Sequence, residues 1–135
     1  MKWLKSKFDE DPKVKNLEMN DEVYKLRRKV MDIIYDAKKM ASLPRITVRI
    51  TEEDDNNDII GLARMKDNII WISQDAIEEP KIDLRRTVYH EILHAVFGVP
   101  HKEEGVLMGP YTDIGRNYNR QELDKLFKKY VEEYK

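Results

Sequence analysis

Residues 84–101 read LRRTVYHEILHAVFGVPH, and this stretch holds all three histidines of a 135-residue chain. Apolar residues recur in it at spacings of three and four, a pattern that predicts an amphipathic helix. Asp83 before the stretch is a typical N-cap residue, and Gly98 is a natural C-terminal stop because glycine adopts the left-handed conformation at little cost. The sequence therefore predicts a helix from about Asp83 to Phe97.

Two of the histidines have the spacing of metal ligands. His90 and His94 are four positions apart, so both imidazoles project from one face of the predicted helix. Neutral imidazole binds Zn²⁺, and this spacing suits two corners of a tetrahedral site. After Gly98 the chain can turn back and supply His101 as the third ligand. Three protein ligands leave the fourth position to water, as is typical of catalytic zinc.

Glu91 lies next to His90 in the sequence, where its carboxylate can reach a zinc-bound water but not easily the metal. Zinc lowers the pKa of such a water to about 7, so Glu91 can accept its proton and return it to a leaving amine. These parts predict the hydrolysis of an amide. Two other interpretations stay open: a polar helix edge without metal, and a zinc that only staples the fold. Glu91 counts against the second, because a structural site needs no base.

The segment from His90 to His101 resembles HExxHxxGxxH, the zinc-binding motif of the metzincin metallopeptidases. Residues 105–111, GVLMGPY, resemble the Met-turn of that family, most closely in its matrixin form. His90 and Met108 are 18 positions apart, as in matrixins, whereas His94 and His101 are one position farther apart than in the family motif. The resemblance implies a zincin-like fold with one catalytic zinc.

The resemblance also implies roles for residues outside the histidine motif. Met108 would lie beneath the zinc as an apolar floor, and Pro110 with Tyr111 would form a wall of the substrate pocket. Tyr111 is also a candidate for stabilising the oxyanion. Gly61-Leu62-Ala63 resembles the edge strand on which metzincins hold an extended peptide by backbone hydrogen bonds. Asp113, the nearest carboxylate after the loop, is the alternative third ligand.

The remaining patterns predict a small mixed, twisted sheet with helices before and after it. The elements are a helix over 20–43, a strand over 46–50, a hairpin of strands over 59–65 and 69–73, and a C-terminal helix starting at Asn119. Together with the resemblance, they predict an α+β, zincin-like catalytic domain over residues 20–135. Its layout is an N-terminal helix, the sheet, the active-site helix and the C-terminal helix.

Residues 1–19 form a charged leader in this interpretation, and it is a candidate for blocking the cleft. The chain has no cysteine, so the cysteine that silences many proenzymes of the family is absent. Asp9, Glu10 or Asp11 is a candidate for occupying the zinc instead, and a solvated acidic run is the favoured alternative.

Composition restricts the class of partner. Lys plus Arg is 25 and Asp plus Glu is 26, so the net charge is −1, which argues against a basic nucleic-acid binder. The sequence shows no signal-peptide core and no run of 18 apolar residues, so we expect a cytoplasmic protein without a membrane partner. We therefore predict a monomeric, zinc-dependent metalloendopeptidase acting on peptide or protein substrates, with one zinc per chain.

A second class of function has a motif of similar layout. The bacterial endoribonucleases of rRNA maturation carry HGxxHxxGxDH, and residues 67–75 faintly resemble that family. Here Glu91 stands where those enzymes have glycine, and Val99-Pro100 replaces their usual aromatic-aspartate pair. The near-neutral charge also disfavours an RNA substrate. The third alternative is a non-catalytic, zinc-stapled interaction module.

Overall fold

The computed structural model describes residues 2–4, 15–52, 59–65, 67–102, 106–112 and 118–135. These residues form five strands and four helices, an α+β arrangement that confirms the predicted fold class at this level. In chain order the elements are β1 (Lys2–Leu4), α1 (Asp21–Met40), β2 (Thr47–Thr51), β3 (Ile59–Arg64), β4 (Ile69–Ser73), α2 (Gln74–Glu78), α3 (Leu84–Phe97), β5 (Tyr111–Thr112) and α4 (Arg120–Tyr134).

The strands make one mixed sheet in the order β2-β4-β3-β1-β5. β3 and β4 form the predicted antiparallel hairpin, with Gly61 opposite Ile72, and β2 runs parallel to β4. β1 runs parallel to β3 and antiparallel to β5. The prediction that residues 61–63 belong to an edge strand is therefore wrong, because the backbone of β1 pairs along the side of β3 that the hairpin leaves open.

Part of the predicted leader thus belongs to the sheet. Besides β1, the backbone N–H of Leu17 donates to the carbonyl oxygen of Ile50 at 2.8 Å, and that of Glu52 donates to Lys15 at 2.9 Å. The sequence predicted no strand in residues 1–19. Strands of two or three residues are too short to display the alternation of apolar and polar positions that marks a strand, which is why β1 and β5 were missed.

Each of the three long helices begins at a polar side chain of the kind that caps helices. Asn20 caps α1 by accepting from the backbone N–H of Val23, Asp83 caps α3 by accepting from Arg86, and Asn119 caps α4. Each cap satisfies a backbone donor that has no partner within the helix. Among the described residues, no helix is both long enough and apolar enough to cross a membrane.

Helix α2 was not predicted. It follows β4 directly, and the hydroxyl of Ser73 caps it by accepting from the backbone N–H of Ala76 at 3.2 Å. A helix of five residues is too short for its apolar periodicity to be recognised in the sequence.

Helix α3 lies at the centre of the fold, in contact with α1, α4, β3 and β4, and its residues from Arg86 to Ala95 are buried. Two polar contacts hold it between the other long helices. Arg85 donates to the carboxylate of Asp36 on α1 at 2.9 Å, and the hydroxyl of Tyr89 donates to Asp124 on α4 at 2.7 Å. The helix that carries the predicted site is therefore positioned from both sides.

Candidate metal centre

Helix α3 ends at a glycine that reverses the direction of the chain. Gly98 is left-handed, with φ 66° and ψ 26°, and its N–H donates to the carbonyl of His94 at 3.2 Å while Val99 donates to Leu93 at 3.1 Å. This turn brings Val99 back over the end of the helix, where its carbonyl oxygen lies 2.6 Å from Nδ1 of His94. The turn that ends the helix therefore also orients one imidazole.

The three histidine side chains meet beside this turn. Nε2 of His90 lies 2.9 Å from Nε2 of His94 and 3.2 Å from Nε2 of His101. One possible ligand atom from each residue lies within 4.8 Å of the others. His90 and His94 are buried whereas His101 is exposed, so solvent approaches the cluster from the side of His101.

Backbone carbonyls determine which nitrogen of each buried ring carries the hydrogen. Nδ1 of His90 lies 2.7 Å from the carbonyl oxygen of Leu107, and Nδ1 of His94 faces Val99 in the same way. Because a carbonyl oxygen only accepts, each Nδ1 must donate, and in the neutral ring Nε2 then carries a lone pair. Burial, with the positive charge of a neighbouring histidine, lowers the pKa of His90 well below its usual value and that of His94 to about 3. Both rings are therefore neutral at pH 7.

This donor set fits a metal ion. The Nε2 lone pairs of His90 and His94 face each other at 2.9 Å without a hydrogen to share, an arrangement that is repulsive unless a cation lies near both. A tetrahedral zinc about 2.05 Å from each nitrogen would hold its ligand atoms roughly 3.3 Å apart, close to the 2.9 and 3.2 Å separations here. The three histidines thus lie close enough to bind one metal ion.

Glu91 is fully buried beside this cluster. Its Oε1 lies 3.9 Å from Nε2 of His90, and within the described part of the chain neither carboxylate oxygen has a hydrogen-bond partner. Burial raises the pKa of the carboxyl well above its usual value, and the positive charge of Arg86 offsets part of that rise. A buried carboxylate without partners destabilises the fold and is typical of functional sites.

Strand β3 reaches the site through a residue that lacks a side chain. A Cβ atom at Gly61 would lie 3.0 Å from both Cγ and Oε2 of Glu91. Glycine at this position leaves room for the Glu91 side chain, and it does not serve an unusual backbone conformation. Gly61 was predicted for its resemblance to a substrate-binding strand, and this contact with Glu91 has no signal in the sequence.

Arg86 is a positioning residue that was not among the predicted site residues. It lies one turn before His90, is fully buried, and donates from Nε to the carbonyl of Val106 and from a terminal nitrogen to that of Gly109 at 3.3 Å. Between these two carbonyls lies that of Leu107, which orients His90. The available signal was a charged residue four positions before His90, on the helical face that carries His90 and His94.

The loop that contains the predicted Met-turn contacts the histidine cluster, because the carbonyl oxygen of Leu107 lies against His90. Met108 is fully buried, and its carbonyl oxygen accepts from the backbone N–H of Lys102 at 2.8 Å, which ties the loop to the residue after His101. Pro110 is partly buried, and the backbone of Tyr111 pairs with β1.

Two of the other predicted residues lie in the sheet, and the rest are outside the described ranges. Leu62 and Ala63 are buried in β3, opposite Trp71 and Ile70 of β4. Four carboxylates named as alternative metal ligands lie outside the described residues: Asp9, Glu10, Asp11 and Asp113.

Comparison of this chain with protein-family models, curated proteins and solved structures gives no match. The case for a function therefore depends on the residues of the site and their geometry.

Proposed function

We propose that this protein is a zinc metallopeptidase with a zincin-like fold and one zinc per chain. One observation carries the proposal: three histidine nitrogens converge beside the buried, unpartnered carboxylate of Glu91. The histidines supply neutral nitrogen ligands, which suit zinc and disfavour the hard cations Mg²⁺ and Ca²⁺. Glu91 supplies the base that a hydrolase needs and that a structural zinc site does not.

The chain's own residues divide the chemistry between them. His90, His94 and His101 would hold the zinc, which when bound supplies a Lewis acid and makes water a stronger acid. Glu91 would take a proton from the attacking water on one carboxylate oxygen and deliver it to the nitrogen of the leaving amine. One carboxyl group can serve both steps, because the proton that it takes in the first is the one that it gives up in the second.

The loop after His101 has a part in the proposal as well. Met108 would provide the apolar floor under the metal, which its complete burial supports. Pro110 and Tyr111 would form one wall of the pocket for the residue that follows the scissile bond. Arg86 would keep this loop in register with α3 through its bonds to Val106 and Gly109.

A peptide is the proposed substrate in preference to RNA. The net charge of −1 provides little attraction for a phosphate backbone. Glu91 stands at the position where the rRNA-maturation endoribonucleases have glycine, and a buried carboxylate would repel a phosphodiester. To distinguish the two hydrolases, the zinc-loaded protein is incubated with an unfolded protein and, separately, with a structured RNA. We expect cleavage of the unfolded protein only.

The decisive variant is Glu91→Gln, which keeps the shape of the side chain and removes the base. We expect turnover of an unfolded protein substrate to fall by roughly 10²- to 10⁴-fold, while one zinc per chain remains by elemental analysis. Glu133→Gln, an exposed glutamate of α4, is the matched control and should keep full activity. Unchanged turnover in Glu91→Gln would rule out the mechanism, and loss of zinc in that variant would show that Glu91 acts as a ligand.

A further inference from the structure

Strand β1 fills a slot that is one strand wide, between β3 and β5. Its residues pair on both sides of the slot, with Trp3 opposite Ile59 and Leu4 opposite Gly61 on β3, and with Lys2 opposite Thr112 and Trp3 opposite Tyr111 on β5. Both walls of the slot therefore present backbone groups to an extended chain.

The slot borders the site described above. Leu4 lies opposite Gly61, the residue whose missing side chain makes room for Glu91, and β1 also contacts α3. The other wall, β5, directly follows the loop whose Leu107 orients His90. A chain lying in this slot passes beside the base and beside the helix that carries two of the ligands.

We propose that this slot is the peptide-binding surface of the enzyme and that residues 2–4 occupy it, so that the chain blocks its own site. The proposal rests on the proposed peptidase function. An extended peptide binds a sheet by adding a strand through backbone hydrogen bonds. A substrate in this slot would need the same groups of β3 and β5 that pair with β1, and two strands cannot use them together.

The block is reversible because β1 is short. It has three residues, and its register with β3 is irregular between Trp3 and Leu4. Each backbone hydrogen bond shifts an equilibrium by roughly two- to tenfold, so the few bonds on each side leave a measurable released population. Because only that population binds substrate, the apparent affinity is reduced by the released fraction whereas the rate at saturation is not.

The test compares two full-length variants loaded with zinc. Trp3→Pro/Leu4→Pro removes both backbone N–H groups and disfavours strand pairing, whereas Trp3→Ala/Leu4→Ala keeps the backbone donors. We expect faster amide hydrogen exchange at residues 59–61 and 111–112 in the proline variant only. With a quenched fluorescent peptide as substrate, the proline variant should show a KM lower by about tenfold and an unchanged kcat.

Each outcome decides the proposal. Equal exchange in the two variants would overturn it, as would faster exchange without a lower KM. If no variant hydrolyses peptides, the peptidase function fails, and the slot is tested by adding a synthetic peptide of residues 1–5 to the proline variant. Restored protection of residues 59–61 from amide exchange supports the slot, and unchanged exchange overturns it.

If the proline variant does not fold, amide exchange is measured on the unmodified chain instead. Residues 59–61 should then exchange faster than α3, and equal rates overturn the proposal.

Discussion

Gly61 of β3 lies directly against the side chain of Glu91 of α3, so a side chain at position 61 would press on that of Glu91. A Cβ atom on Gly61 would lie 3.0 Å from Cγ and from Oε2 of Glu91, and 3.1 Å from its Cδ. These distances are shorter than ordinary van der Waals contact. The position of the proposed base therefore depends on the absence of a side chain on the neighbouring strand.

Gly61→Ala should displace the carboxylate of Glu91, because the buried methyl group cannot turn away from it. We expect turnover to fall at least tenfold, by analogy with other small displacements of catalytic groups, with zinc content unchanged. Kinetics in the Glu91→Gln background are the control. In that background Gly61→Ala should reduce the residual turnover much less, because the base is already lost. An equal loss in both backgrounds would show that the alanine acts on the fold rather than on Glu91.

Removal of metal should destabilise the protein, since only the folded chain brings the three histidines together. Binding at a hundredfold excess over Kd adds about 2.7 kcal/mol to the free energy of unfolding. A chelator should therefore lower Tm, and added zinc should restore it. His94→Ala should abolish this response, whereas Lys128→Ala, an exposed lysine of α4, should retain it. A Tm that is insensitive to chelation would contradict the metal site.

Arg86→Met should loosen the loop of residues 106–109, because the carbonyls of Val106 and Gly109 lose their charged donor. We expect the free energy of unfolding to fall by about 2–4 kcal/mol in denaturant titrations. Zinc affinity should fall roughly 10- to 100-fold, as for other residues that orient ligands. Arg28→Met on the exposed face of α1 should change stability by less than about 0.5 kcal/mol. Unchanged zinc affinity in Arg86→Met would leave Arg86 with a structural role alone.

Tyr89 should make the protein sensitive to alkali. Burial, with the hydrogen bond to Asp124, raises its pKa to about 12, although Arg85 opposes the shift. The unfolded chain releases this proton near pH 10 and the folded chain retains it. The contribution of protonated Tyr89 to the free energy of unfolding is therefore complete below pH 10 and is lost as the pH rises to 12.

Denaturant titrations between pH 8 and pH 12 measure this effect. Tyr89→Phe should lower stability at pH 8, because the bond to Asp124 is lost, and should make the alkaline decline less steep. Tyr35→Phe is the control, since that side chain is 63% exposed and its replacement should not alter the slope. An equally steep decline in Tyr89→Phe would assign the alkaline sensitivity to other groups.

The long elements could be predicted because their signals are local. Asn20, Asp83 and Asn119 are caps whose partners lie within three residues, and Gly98 ends α3 through a conformation that glycine adopts readily. The spacing of His90 and His94 places both on one helical face whatever surrounds the helix. For these features the short-range geometry of the chain is sufficient for a prediction, and tertiary packing does not change the result.

What the sequence determined by itself was therefore the α+β class, the starts of the long helices, the end of α3 and the group of histidines with Glu91 beside them. Only the tertiary structure decided that Gly61 adjoins Glu91, that Arg86 holds the loop orienting His90, and that β1 covers the open side of β3. These relationships join residues far apart in the chain through backbone hydrogen bonds and steric fit. Neither leaves a periodic trace in a sequence, because any residue with a backbone can pair in a strand and a close approach is defined only once both partners are in place.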